Sequence, residues 1–208
     1  MGALEAVGSN RTYTCLGQQE FNFANWAKAV RQGNTFMTTG PLSLFQVDGH
    51  APGEEIKLGA GGGTVEVQVE AVGAIPFHRI EVVLNGKVVC TREDQAGVRR
   101  MVIKGKVTTP GPGWLAARCA SRLGPTGGRK FGIQAHTSPV YVTVPGQELF
   151  QPAAAAYMLT LIDGAQTWLE TLATRLDPER YARILDFHRE ARERLKARLR
   201  KQGGRAGL

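Results

Sequence analysis

Ile80-Glu81-Val82-Val83-Leu84-Asn85-Gly86-Lys87-Val88-Val89-Cys90 decides the fold class of this chain. Ile80, Val82 and Leu84 alternate with Glu81, Val83 and Asn85, the period of a strand. Asn85-Gly86 then separates this run from a second β-type run. A type I′ turn needs positive φ at both central residues, which asparagine and glycine tolerate best, so the pair predicts a hairpin. Upstream, Val65, Val67 and Val69 alternate with Glu66, Gln68 and Glu70 as a half-buried strand does. Further strand-like runs cover 42–47, 98–107, 113–119 and 140–144. Breaks at Gly and Pro between them predict a β-sandwich over residues 41–146, with both sheets antiparallel.

Helical periodicity flanks this β region. Phe23, Trp26, Ala27 and Val30 share one face of a helix over 23–31, and Gly33 sits where a C-cap glycine belongs. Residues 1–40 are too few to bury a core alone. From residue 147 onward two helices are expected. Tyr157, Met158, Leu161, Ile162, Ala165, Trp168, Leu169, Leu172 and Leu176 trace one apolar stripe. Asp177-Pro178 supplies an N-cap and a first-turn proline, and Tyr181, Ile184, Leu185, His188, Leu195 and Leu199 form a second stripe. The short joint predicts an antiparallel helical hairpin over 147–208. Residues 202–208 read as frayed.

The bulk properties fit a globular chain. Of 208 residues, 42% are hydrophobic and 21% charged, and 26 glycines with 10 prolines supply many turns. No apolar run approaches a membrane span, and Met1 to Asn10 lacks the basic-then-apolar pattern of a secretory signal. Cys15, Cys90 and Cys119 are odd in number and widely spaced, so they read as packed thiols. The net charge is +8, much of it between Arg189 and Arg205, where eight bases meet only Glu190 and Glu193. No aromatic residue interleaves with that run, so it reads as a solvated helix face and not as a nucleic-acid site.

Several ordered patches carry a resemblance. Gly33-Asn34-Thr35-Phe36-Met37-Thr38-Thr39-Gly40-Pro41-Leu42 follows the tryptophan-bearing helix. Gln46-Val47-Asp48-Gly49-His50-Ala51-Pro52-Gly53 comes next, and Ala135-His136-Thr137-Ser138-Pro139-Val140-Tyr141-Val142 lies far downstream. With Arg11-Thr12-Tyr13, this series resembles the CehA/McbA-type metallohydrolases of the polymerase-and-histidinol-phosphatase (PHP) class, after their metal-binding barrel. Thr39 departs from the family's usual asparagine, and Asn34 from its frequent arginine. The resemblance implies that residues 1–40 are a short remnant of the end of an α/β barrel. It implies divalent metals for the complete family member, and an ester or carbamate type of substrate. Gly33, Thr35, Phe36, Thr38, Gly40, Pro41, His136, Thr137, Ser138 and Pro139 are its motif residues here, expected to be structural.

No catalytic constellation emerges from the residues themselves. A metal-activated water needs several imidazoles and carboxylates around one or two cations. The chain has four histidines, His50, His78, His136 and His188, none in His-x-His. Asp48-Gly49-His50 reads as a turn. His136 is expected to bond backbone across the sheets, with a contact to the barrel rim as the sharper alternative. His78 is placed ahead of a strand. Ser138 near His136 lacks the orienting acid of a triad. Gly124 to Lys130 reads as a basic loop and not a phosphate loop, and Glu54-Glu55 point to opposite faces of a strand. Trp114 and Trp168 read as core or interface anchors.

The expected fold is mainly β with α: an immunoglobulin-like β-sandwich (41–146), then a helical hairpin with a basic tail (147–208), preceded by the barrel remnant (1–40). The expected role is a non-catalytic accessory region of a CehA/McbA-like hydrolase. This chain is expected to bind no cofactor of its own. Its partner is then a metal-binding barrel on a longer parent or a separate chain, or a second copy. Membrane and nucleic acid are not expected partners. The alternative role is a stand-alone β-sandwich binding module for carbohydrate or protein.

Overall fold

The computed structural model describes residues 8–121, 132–174 and 177–203. The start of the chain, the basic loop 124–130, Leu176 of the first helical stripe and the tail from residue 204 lie outside them. The chain divides into two compact units, Met1–Leu149 and Phe150–Leu208. It is mainly β, with three helices among the described residues.

In the first unit the strands are β1 (Arg11–Thr14), β2 (Thr35–Thr38), β3 (Leu42–Val47), β4 (Glu55–Lys57), β5 (Gly63–Leu84), β6 (Lys87–Thr109), β7 (Gly113–Ala120), β8 (Gln134–Thr137) and β9 (Val140–Thr143). They form a single hydrogen-bonded sheet in the order β1-β2-β8-β7-β5-β3. In addition, β6 pairs with β5, and β9 joins β4 to β7. Residues 11–38 therefore enter the sheet through the β2–β8 pairing.

The Asn85-Gly86 turn forms as expected. Asn85 has φ 49° and Gly86 φ 86°, and Leu84 lies opposite Lys87. The side-chain oxygen of Asn85 also accepts from the Trp114 backbone N–H at 2.9 Å, which ties the turn to β7.

The strands it joins are longer than the sequence pattern predicts. Runs 65–70 and 80–84 belong to one 22-residue strand, and 87–90 and 98–107 to one of 23 residues. The Gly73 to Pro76 stretch, expected to break the chain, is absorbed by register shifts between Val72 and Phe77 and between Phe77 and Arg79. Residues 73–76 face the single Arg99 there, and such unpaired residues bend a strand without ending it, which accommodates both glycine and proline. On the facing strand the Asp94 carboxylate accepts from the N–H groups of Ala96 and Gly97, both at 3.0 Å. Those bonds replace ladder bonds lost at the bend.

The bend gives β5 two sets of neighbours. Residues 67–72 pair with β3, and residues 79–84 with β7. β3 also lies against β7 and β8, with which it does not pair. The core fills the space so enclosed. Phe45 and Val47, Val65, Val67 and Val69, Leu115 and Ala117, and Val140 and Val142 are buried in it. Full burial of each large aliphatic side chain contributes roughly 1.5–3 kcal/mol. One pairing departs from the expected antiparallel pattern: β4 runs parallel to β9, with Ile56 opposite Val142. After the Pro52-Gly53 turn the chain runs alongside β9, where Tyr141 N donates to Glu54 O at 2.9 Å.

Helix α1 (Phe23–Gln32) matches the predicted span within one residue. Its start is capped by the Asn22 side chain, which accepts from Asn25 N at 2.9 Å. It buries Ala29, whereas Phe23 and Trp26 of the predicted face stay 80% and 42% exposed. The apolar face is therefore turned away from the sheet.

The second unit contains α2 (Pro152–Thr171) and α3 (Pro178–Gly203). Asp177 caps α3, its carboxylate accepting from Arg180 N at 3.0 Å. Ala155, Leu159, Ile162, Gln166 and Leu169 of α2 and Tyr181, Leu185, His188, Arg192 and Leu195 of α3 are buried or half-buried at alternating four- and three-residue spacings. Tyr181 Oη donates to Leu169 O at 3.2 Å, and Arg192 Nε to Asp163 Oδ1 at 2.6 Å. The predicted α2 stripe is only partly used. Tyr157, Met158, Leu161, Trp168 and Leu172 remain exposed, because a single neighbouring helix covers a narrower strip than those positions span.

Candidate functional site

The motif residues singled out from the sequence converge. β2 and β8 are almost a hundred residues apart in the chain yet lie side by side, with Phe36 opposite Thr137, Met37 opposite His136 and Thr38 opposite Ala135. At one end the Thr35 and Ser138 hydroxyls are hydrogen-bonded at 2.7 Å, and Ser138 N donates to Thr35 O at 2.8 Å. At the other end Thr38 Oγ1 donates to Pro41 O at 2.5 Å and accepts from Gly40 N at 2.8 Å. That pair closes the turn into β3, with Pro41 fully buried.

Two further threonines lock this seam. The Thr137 hydroxyl, 3% exposed, accepts from Ala117 N at 3.0 Å and so links β8 to β7. Thr39 Oγ1 donates to Gly132 O at 2.9 Å and accepts from Gln134 N at 2.9 Å. The Thr39 hydroxyl thus satisfies the backbone at the start of β8.

The Pro52-Gly53 patch reaches the same place. Gly33 ends α1 in the left-handed conformation, φ 79°. Gly53, φ 91°, packs against it and donates its N–H to Pro139 O at 2.8 Å. A Cβ on Gly53 would lie 1.9 Å from Gln32 O. The end of α1, the Gly53 turn and the entry to β9 therefore meet through backbone atoms.

Beside the seam lies a shallow groove of about 430 Å³ on the outward side of β7. Trp114 and Tyr141 are cross-strand neighbours along it, as are Arg118 and His136. Val83, Ala116 and Pro139 complete the apolar floor. Glu81 lies at its edge with a side chain only 7% exposed. Its carboxylate takes an ion pair from Arg79 Nε at 3.1 Å and another from Arg118 Nε. A buried carboxylate with two guanidinium partners fixes Arg118 in place. The groove offers two aromatic rings, one held cation and one imidazole. That set suits stacking on a flat ligand with a polar edge.

The other residues weighed from the sequence stand apart. His136 is exposed, and its Nδ1 lies 3.4 Å from the adjacent Thr137 carbonyl, so the expected bond across the sheets is not made. In an extended strand its side chain points away from the core that Ala135 and Thr137 enter. Asp48-Gly49 forms a two-residue turn, φ 45° and 78°, whose aspartate accepts from Glu66 N at 2.7 Å. His78 lies inside β5 and not ahead of a strand; it is buried, with Nδ1 3.2 Å from Ser121 Oγ. His188 Nδ1 faces Ile184 O within α3 at 2.8 Å. Glu54 and Glu55 bond separately, to Ala51 N and to the Thr143 hydroxyl. Among the described residues no three or more His, Cys, Asp or Glu side chains come together as metal ligands.

Cys119 shows what the core does to a nucleophile. Burial raises its pKa from 9.0 to about 11, against a smaller lowering by a backbone hydrogen bond from Ala135. The thiolate is therefore scarce at neutral pH. The unfolded thiol ionises first, so this group's contribution is intact below pH 9.0 and is lost as pH rises towards about 11. Under native conditions at pH 8, iodoacetamide is expected to label exposed Cys15 and to spare Cys119. Mass spectrometry should find Cys119 labelled only after denaturant is added.

No family model matches the chain, and no curated protein matches it. Among solved structures it is similar to a lytic polysaccharide monooxygenase of Jonesia denitrificans, at 13% identity over 45% of this chain and 60% of that one. The chain spans less than two thirds of that neighbour, and a TM-score of 0.27 carries neither fold nor function across.

Proposed function

We propose that this chain is the non-catalytic accessory region of a CehA/McbA-like, PHP-type metal-dependent hydrolase. In this reading residues 41–146 are an immunoglobulin-like β-sandwich and residues 147–208 a helical hairpin. The sandwich braces a metal-binding barrel, and the barrel's ester- or carbamate-type chemistry is supplied by that partner. One observation carries the proposal: the separate patches on which the resemblance rests meet at one seam, through β2, β8 and the Gly33–Gly53 contact. Patches that matched by accident would have no reason to meet. The exposed face of α1, with Phe23 80% and Trp26 42% exposed, supplies an apolar surface where a barrel would dock.

The test is association. The chain is titrated against the metal-loaded PHP-type barrel of a CehA/McbA-like enzyme. Binding that Phe23→Asp and Trp26→Asp weaken at least ~30-fold is expected, the loss typical of truncated interface anchors. Absence of binding, or binding indifferent to both substitutions, counts against the proposal.

The Trp114–Tyr141 groove favours a second reading, a stand-alone binding module for carbohydrate or protein. Retention on insoluble polysaccharide that Trp114→Ala abolishes would support it, and no retention would remove the carbohydrate form.

A further inference from the structure

The two sides of the α2–α3 pair are chemically opposite. On one side Asp163, Glu170, Arg189, Arg192 and Glu193 surround a polar cleft. On the other, Met158, Leu161, Ala165, Trp168 and Leu172 of α2 fall at alternating three- and four-residue spacings, which places them on one helix face. Ile184, Phe187 and Ala191 of α3 follow the same spacing. Ile162, which borders the α2 face, lines a groove with Phe187, Ala191 and Leu195 and with Arg194 and Arg198 at its edge, on the side of the pair away from the polar cleft. This broad surface is uncovered within its unit: Trp168 is 54% exposed, Phe187 70% and Leu172 75%.

We propose that this face is a self-association surface, on which the helix pair of a second copy of the chain packs to give a four-helix bundle. Size argues for that occupant. The exposed parts of its six large side chains amount to on the order of 700 Å² per copy. A stable interface takes about 800 Å² from each partner. Charge argues the same way. The α2 face carries no ionised group, and the bases on the α3 edge are engaged: Arg194 pairs with Glu190 at 2.6 Å, and Arg198 lies over the Phe150 ring, 5.0 Å from its centroid. An uncharged α2 face, with the bases confined to the α3 edge, suits a two-fold protein contact. An anionic membrane selects an edge of unpaired bases. The inference uses only the second unit, so it stands or falls independently of the proposed role of α1 and the seam.

Light scattering on the eluting 208-residue chain, over a concentration series, tests it. A mass of twice 22.5 kDa is expected for the unaltered chain. Leu161→Glu and Phe187→Glu, each placing two charges in the interface, are expected to weaken the dimer ~100-fold or more and give monomer. Far-ultraviolet circular dichroism should remain unchanged in both, since both positions are solvent-facing in one copy. Arg189→Glu, on the polar side, should leave the dimer intact. A monomer throughout the series, or a dimer that survives both substitutions, overturns the proposal. So does a monomer that co-sediments with phosphatidylserine vesicles and loses that binding on Phe187→Glu; that outcome assigns the face to lipid.

Discussion

Gly53→Ala is expected to destabilise the first unit by about 3 kcal/mol, combining left-handed strain with a backbone clash. With φ 91°, Gly53 holds a conformation that an L side chain rarely adopts. A methyl group there would sit 1.9 Å from Gln32 O, 2.8 Å from Gln32 C and 2.9 Å from Gly33 C. All three are main-chain atoms, so no side-chain rotation relieves the contact. If the Gly53 turn moves instead, its bond to Pro139 O at 2.8 Å is lost and the entry to β9 loosens with it. Gly86→Ala provides the comparison. Gly86 also has positive φ, 86°, but an added Cβ would meet nothing within 4 Å. It should cost about 1 kcal/mol, the conformational term alone. Urea unfolding followed by tryptophan fluorescence separates the two. Equal midpoints for both variants would mean that the helix end, the turn and β9 do not meet as described.

Phe77→Ala should have a larger effect, about 3–5 kcal/mol, the range for deleting a buried aromatic side chain. Phe77 is fully buried and lies between the two register shifts that bend β5. Its ring passes close to Gly73, where an added Cβ would touch it at 3.4 Å. Removing the ring leaves a void at the point where β5 changes partners from β3 to β7. In a unit of this size the loss corresponds to a fall in Tm of roughly 10 °C. Ile75→Ala, two residues away and 43% exposed, should change Tm by only a degree or two. Calorimetry showing similar shifts for both would contradict the placement of Phe77 in the core.

Local chemistry was readable from the sequence, and long-range geometry was not. Asn85-Gly86 announces its turn because few other residues accept two positive φ values in succession. Gly33 and Asp177 mark helix ends for similarly local reasons. The continuity of β5 and β6 was hidden. Gly73 and Pro76 look like punctuation, and only the facing strand, with Asp94 bonding its own backbone, shows that pairing resumes beyond them. The parallel β4–β9 pairing was also hidden, since three residues of β4 carry no directional signal.

The same division holds for the candidate sites. The seam patches could be quoted from the sequence, but that they touch depends on the register of Phe36 against Thr137. Of the groove, Trp114, His136, Thr137 and Pro139 were singled out from the sequence, but not as neighbours. Tyr141, Arg118 and His136 belong to three different strands, and alternation alone does not say which outward residues become neighbours. For α2 the apolar positions were correctly found but assigned to one stripe. Two adjoining faces overlap in a helical wheel, and only the spacing of Ala155, Ile162 and Leu169 against α3 divides them.

The proposed accessory role makes one claim that a single preparation can test: catalysis and its metals reside on a partner. The purified chain is incubated with zinc, manganese or iron, freed of excess ion, and assayed for bound metal by mass spectrometry and for hydrolysis of an aryl ester and an aryl carbamate. The account predicts far less than one ion per chain and no turnover above buffer. Stoichiometric metal accompanied by turnover, both lost together on chelation, would contradict it.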